Sequence, residues 1–276
     1  EDNGKTFYRF ANADGKVWIM PAGNMRVAMN LYQPSGRKGK ILKSFFPLLH
    51  RIDSVRRAIK AEQIQCQLNA EIKQLFCSLF SVEDLQFSVF CGTPCVHQKI
   101  TIQLSDGDKI LGYAKASDNE EIALLFQEEA GKLEALWECG VRGIPKCMFC
   151  DTLTNGVHLF VQSTSKTGRS KVLHEWDMLH ENFIEELNAR TLRNLRFEES
   201  DYFATLQQLG EHLDWLPGNV NKDCLADIMN KTMQSYQGKQ VTFAAYHADF
   251  TPWNMFAEDG KLFVFDWEYA KMTYPQ

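Results

Sequence analysis

The chain has 276 residues, 45% hydrophobic, 24% charged and 12% aromatic, with 30 Lys and Arg against 35 Asp and Glu for a net charge of −5. That composition excludes collagen-like, disordered and mucin-like chains, and its acidic balance gives no global reason to expect nucleic acid as a partner. No run of 18 apolar residues occurs, and the start Glu1-Asp2-Asn3-Gly4-Lys5 lacks the basic-then-apolar layout of a secretory signal, so a cytoplasmic protein is expected.

Residues 1–36 carry short alternating segments, Phe7 to Phe10, Val17 to Met20 and Arg26 to Tyr32, broken by Ala13-Asp14-Gly15 and Pro21-Ala22-Gly23. They predict a small antiparallel sheet. From Gln33 to Lys60 the chain turns basic, with eight Lys and Arg against Asp53 alone. Because Ile41, Leu42, Phe45, Phe46, Leu48 and Leu49 lie in the same stretch, two readings stand: a helix docked on the next lobe with a solvated basic face, or an amphipathic helix at a membrane surface.

Residues 84–163 predict a meander of three strands, Leu85 to Phe90, Val96 to Leu104 and Ile110 to Ala116, with turns at Gly92-Thr93-Pro94 and Ser105-Asp106-Gly107-Asp108. A helix from Asn119 to Trp137 follows, with Ile122, Leu125, Phe126, Ala130, Leu133 and Leu136 at helical spacing. Two more strands, Lys146 to Cys150 and Val157 to Gln162, flank Thr154-Asn155-Gly156. The polar stretch Ser163 to Ser170 reads as a linker. Helices dominate beyond it: one with the stripe Leu173, Trp176, Leu179, Phe183 and Leu187, one capped by Ser200 and stopped before Pro217-Gly218, and one from Cys224 to Tyr236. Short strands at Val241 to Tyr246 and Lys261 to Phe265 close the pattern.

Eight cysteines are too sparse in a chain of this length for a disulfide scaffold, which leaves buried thiols. Cys91/Cys95 and Cys147/Cys150 also have the short spacing from which four-sulfur zinc sites are built.

The densest chemistry lies between His247 and Glu268. The Asp259-Gly260 pair predicts a two-residue turn that folds Met255 to Ala257 against Leu262 to Val264, which places Asn254 opposite Phe265 and beside Asp266. An amide and a carboxylate oxygen then converge as a magnesium-type site, while Asp249 on the preceding loop is placed to accept a proton from a hydroxyl. With 7 His, 16 Asp and 14 Asn, a shuffled chain would contain the spacing His-x-Asp-x4-Asn about 0.02 times.

His247-Ala248-Asp249 to Asn254, with an apolar strand ending in Asp266-Trp267-Glu268, resembles the catalytic and metal-binding loops of the aminoglycoside phosphotransferase and choline kinase-like branch of the protein-kinase fold. The resemblance covers residues 84–276. It implies an α+β, two-lobe fold: an N-terminal extension at 1–83, a five-stranded, one-helix nucleotide lobe at 84–163 and a mainly helical lobe at 164–276. It further implies Asp249 as the base, Asn254 and Asp266 as metal ligands, and Lys115 as the phosphate-holding cation, with Glu129 preferred to Glu128 as its ion-pair partner. Gly92 and Thr93 would cover the phosphates, and the Gln162-Ser163 junction would meet adenine through backbone groups. The cofactors implied are ATP and Mg2+.

On this reading the chain is a phosphotransferase whose acceptor is a hydroxyl on a small molecule: a sugar, amino-sugar or amino alcohol. A protein acceptor and nucleotidyl transfer are variants of the same reading. Other classes are an inactive kinase-like binding module and a metal-dependent hydrolase using His247, Asp249 and Asp266. A membrane surface or protein partner is possible through residues 37–60. Trp253 and Trp267 are expected to be packing residues. The missing initiator Met and an end at Gln276, ten residues after Asp266, are expected of a shortened chain with an incomplete larger lobe.

Overall fold

The structure, a computed structural model, describes residues 5–34, 36–95 and 98–275. The start at 1–4, Ser35, the expected strand start at Val96, His97 and the last residue Gln276 lie outside the described residues. The chain divides into two compact units, one of residues 1–131 and 144–171 and the other of residues 132–143 and 172–276.

The first unit contains β1 (Lys5–Ala11), β2 (Val17–Pro21), α1 (Met25–Ala28), α2 (Arg37–Leu49), α3 (Asp53–Ala58), β3 (Glu62–Cys66) and α4 (Ala70–Phe80). It continues through β4 (Gln86–Cys91), β5 (Ile100–Asp106), β6 (Lys109–Ser117), the start of α5 (Glu120–Glu138), β7 (Cys147–Thr152) and β8 (His158–Ser163). Among the described residues, its strands form one eight-stranded antiparallel sheet in the order β3-β1-β2-β4-β5-β6-β8-β7. The expected five strands are the last five in that order, and β2 pairs with β4 so that residues 1–83 extend the same sheet instead of forming another.

Its apolar residues gather in two clusters: one around Phe7, Phe76, Leu104 and Val161, the other around Tyr8, Phe10, Trp18 and Phe46. Neighbouring β1 residues Phe7 and Tyr8 belong to different clusters, as the two-residue period of a strand requires. Gly112 on β6 is needed for close strand approach, because a Cβ there would lie 2.3 Å from the Gln162 carbonyl oxygen and 2.6 Å from the Phe80 ring.

Three local expectations differ. Arg26 to Tyr32 is α1 followed by a turn, not a strand: Met25, Ala28 and Met29 bury together at i, i+3 and i+4, a spacing that also reads as loose alternation. The segment after the linker does not become helical at Leu173, because Asp177 caps a later start by accepting from the Leu179 N–H in a capping box with His180. Finally, Cys91 and Cys147 lie on β4 and β7 with three strands between them, roughly 19 Å apart at normal strand spacing, so the four-sulfur zinc site is ruled out.

The second unit contains the end of α5, then α6 (Met178–Thr191), β9 (Arg193–Arg196), α7 (Asp201–Glu211), α8 (Lys222–Tyr236), β10 (Gln240–Tyr246), β11 (Met255–Glu258), β12 (Lys261–Val264) and β13 (Lys271–Pro275). β10 is the centre of a three-stranded antiparallel sheet between β13 and β9. Ser200 caps α7 by accepting from the Phe203 N–H, as its position in the sequence predicts. Asp201 ties β13 to that helix, its Oδ2 accepting the Met272 and Thr273 amides at 2.7 and 3.0 Å. Phe197, Leu206, Met229 and Phe243 are the core between these helices and the sheet. No helix among the described residues is long and apolar enough to cross a membrane.

Candidate active site

In the first unit Lys115 sits on β6, cross-strand from Thr101 on β5 and Phe160 on β8. Its ammonium lies 2.7 Å from Glu129 Oε2 on α5 and 5.7 Å from the centroid of the Phe160 ring. Glu129 is fully buried and the Lys115 side chain nearly so. A buried charge pair is costly to break, because removing either partner strands the other in a low-dielectric setting. The helix phase selects Glu129 over Glu128 for this contact, since Ile122, Phe126 and Ala130 bury on the same face and Phe126 stacks on Phe160 at 6.0 Å.

The Gly92-Thr93 turn follows β4, and the Gln98 side chain donates to the Gly92 carbonyl at 2.7 Å. Among the described residues, a Cβ at Gly92 would meet the Lys99 carbonyl oxygen at 3.9 Å, an ordinary contact distance. Gln162 is buried on β8. The Ser163 amide donates to the Lys146 carbonyl and its Oγ accepts the Lys146 amide, both at 2.9 Å, so this end of β8 is held in a fixed extended form.

In the second unit the chain leaves β10 at Tyr246 and turns through His247 and Ala248 into Asp249. His247 is buried, with Nε2 3.1 Å from the Phe265 carbonyl oxygen, while the Asp249 amide donates to Nδ1 at 3.3 Å. Burial lowers its pKa against the opposing pull of the Phe265 carbonyl and the Asp266 and Asp249 carboxylates. A neutral ring with Nε2–H as donor and Nδ1 as acceptor satisfies both contacts. Both nitrogens are thereby spent on backbone groups, which removes His247 from the ligand set of a metal hydrolase.

Asp249 is held from the other side by Asn254, whose Nδ2 donates to the Asp249 carbonyl at 3.1 Å and to its Oδ2 at 2.8 Å. Asn254 closes a short 3-10 turn begun by Pro252, and its amide donates to the Thr251 carbonyl at 2.9 Å. The β11–β12 hairpin has the predicted register, Met255 with Val264 through Glu258 with Lys261, about a turn in which Asp259 and Gly260 both have positive φ. The Phe265 amide accordingly reaches the Asn254 carbonyl at 2.9 Å. Asp266 follows at once.

Besides Asp259 in the hairpin turn, two non-glycine residues here adopt left-handed backbone, Ala248 at φ 67° and Asp266 at φ 71°. Each such residue costs of order 1 kcal/mol and persists only where its surroundings over-determine it. Those surroundings are aromatic. Phe250 is inserted among Trp176, His180, Phe183 and His247, and Trp267, fully buried, meets the His247 ring edge-on at 4.5 Å and donates from Nε1 to the Val264 carbonyl. Trp267 is the expected packing residue. Trp253 is not, being 62% exposed.

Phe250, Phe183 and His180, the capping-box partner of Asp177, were missed by sequence reasoning as supports of the site. Phe183 lay in the predicted helical stripe, but its contact with a loop 67 residues later has no local signature. The two oxygen donors suit a hard cation: with Nδ2 committed to Asp249, Asn254 offers Oδ1, and Asp266 offers a carboxylate.

Comparison with solved structures bears on the fold. A thermostable mutant of aminoglycoside phosphotransferase APH(4)-Ia matches at a TM-score of 0.50 and 10% identity, over 74% of this chain and 73% of that one. The fold is protein-kinase-like. This kinase-like chain also matches APH(2″)-IIa in its complex with streptomycin and ATP (TM-score 0.45, 14% identity, 76% of this chain and 74% of that one). ADP-bound APH(2″)-Ib matches at 0.44 and 14%, over 75% and 73%. No protein-family model matches the kinase-like chain, and no curated protein matches it significantly.

Proposed function

We propose that the chain is an ATP- and magnesium-dependent phosphotransferase of the aminoglycoside phosphotransferase and choline kinase-like kind, acting on a small-molecule hydroxyl in the cytoplasm. The observation that carries this reading is the Asp249–Asn254 contact on a loop with left-handed Ala248, registered through the Asn254 carbonyl to the residue before Asp266. That arrangement presents an orienting carboxylate and a hard-oxygen pair in one local unit, which is what phosphoryl transfer asks of a protein. The buried Lys115–Glu129 pair supports it from the first unit.

In the proposed reaction Lys115 fixes the nucleotide phosphates as a point cation, and Glu129 holds that ammonium in one position. Asn254 and Asp266 would hold magnesium, which when bound offsets charge on the phosphate oxygens. Asp249, steadied by Asn254 Nδ2, orients the acceptor hydroxyl and takes its proton as the γ-phosphoryl group is transferred. Gly92 and Thr93 would cover the phosphates with backbone N–H groups, and the Gln162-Ser163 junction would receive adenine.

Thermal unfolding of the chain with Mg2+, with ATP and with both tests the reading. A ligand at one hundred times its dissociation constant stabilises by about 2.7 kcal/mol, roughly 5–10 °C here. The expected result is a shift that needs both together, followed by acceptor-dependent ADP release in a screen of sugars, amino-sugars and amino alcohols. A folded sample that shows no shift would favour an inactive binding module.

A further inference from the structure

The basic stretch has no place in the proposed chemistry, and its structure singles it out. On α2 only Phe46 is buried, packed edge-on against Tyr8 and Phe10 at 6.5 and 5.9 Å, with Leu42 partly buried beside it. His50 locks the end of the helix, with Nδ1 2.9 Å from the Pro47 carbonyl and Nε2 3.2 Å from that of Ala22. Arg56 then donates to the His50 carbonyl at 2.9 Å.

With that face pinned, the opposite one is forced outward. Ile41, Phe45, Leu48 and Ile52 recur at i, i+4, i+7 and i+11 and are 60%, 55%, 77% and 49% exposed. The helix is docked as expected, but through Phe46 and Leu42 alone, since one helix cannot bury both faces against a single sheet.

Charge identifies what the face fits. Arg37, Lys38 and Lys40 on α2, and Arg51, Arg57 and Lys60 in the segment that follows it, are all exposed. The single acid, Asp53, is already paired with Arg56. Residues 33–60 thus carry a net +7, which leaves −12 on the other 248 residues of a chain whose total is −5. A second copy of this face would set cation against cation. The occupant must be apolar at its centre and anionic around it, and it must accept protruding side chains without a matching groove.

We propose that α2 and the turn after it dock the protein on the surface of a bilayer containing anionic phospholipid, with Phe45 and Leu48 entering the acyl boundary and the surrounding cations meeting the phosphates. The acidic remainder of the chain is repelled by the same surface, which fixes the side presented to it.

Co-sedimentation of the full chain with vesicles of phosphatidylcholine alone, or with about 30% phosphatidylglycerol, tests this. Binding is expected only to the anionic vesicles and should weaken with salt. Phe45→Ser with Leu48→Ser, both exposed and so harmless to the fold, should cut it by about tenfold at unchanged charge, while Lys38→Glu with Lys40→Glu should also reduce it. Absence of binding to anionic vesicles would overturn the proposal. So would binding that the apolar double variant leaves intact, which would be plain electrostatic adsorption. A lipid-free dimer that the same double variant dissolves, with no vesicle binding, would assign the face to protein instead.

Discussion

Asp249 and Asp266 lie near one another, yet their supports differ, and so should their variants. Asp249 is fixed by the side chain of Asn254, whereas Asp266 is placed by its own left-handed backbone at the end of β12. Asp249→Ala should lower transfer by about 10²–10⁴-fold while nucleotide still raises the unfolding temperature. Asp266→Ala should instead weaken the magnesium–nucleotide shift itself, and equal loss of binding in both would contradict the division of roles. Ala248, at φ 67°, carries strain that its Cβ creates. Ala248→Gly should therefore raise stability by up to about 1 kcal/mol, read as a higher midpoint in urea; a clear loss would mean that the methyl packs usefully.

At the scale of elements, the β11–β12 hairpin is a self-contained device, but its seat is not. The Val264 amide donates to the Gly143 carbonyl at 2.8 Å, and a Cβ on Gly143 would lie 2.5 Å from the Leu262 carbonyl oxygen and 3.3 Å from the Phe183 ring. The near atom is backbone and cannot swing aside. Gly143→Ala should cost about 1–3 kcal/mol, and because it pushes on β12 it should also weaken nucleotide-dependent stabilisation. Calorimetry with and without Mg2+ and ATP would separate the two effects. A silent substitution would show that the hairpin shifts freely against the 132–143 segment.

For the whole molecule, the chain passes from the first unit to the second at Lys171, and the exposed turn Thr167-Gly168-Arg169 lies just before that crossing. Such a segment, outside any strand ladder, is where a protease gains access first. Brief trypsin treatment should cut after Arg169 or Lys171 before it cuts within the strands, with the new termini read by mass spectrometry. Early cleavage inside β6 or β12 instead would show that a core element opens more readily than the linker.

Several functional features were legible because they are local. The register about Asp259-Gly260 follows from a turn type that needs positive φ at both residues, and it carries Asn254 to Phe265 without help from the rest of the chain. The meander, the long helix and the Ser200 cap follow likewise from period and capping chemistry. β9, β13, β3 and α4 were not foreseen, being short or weakly patterned elements that depend on partners distant in sequence. The amino-acid sequence by itself determined how the β11–β12 hairpin aligns, since adjacent backbone groups decide it. Only the tertiary structure decided that residues 1–83 extend the same sheet, that Phe250 anchors the loop, and that Ile41, Phe45, Leu48 and Ile52 face outward. Burial and aromatic packing depend on which surfaces meet, and hydrophobic pattern alone does not say which face of a helix finds a partner.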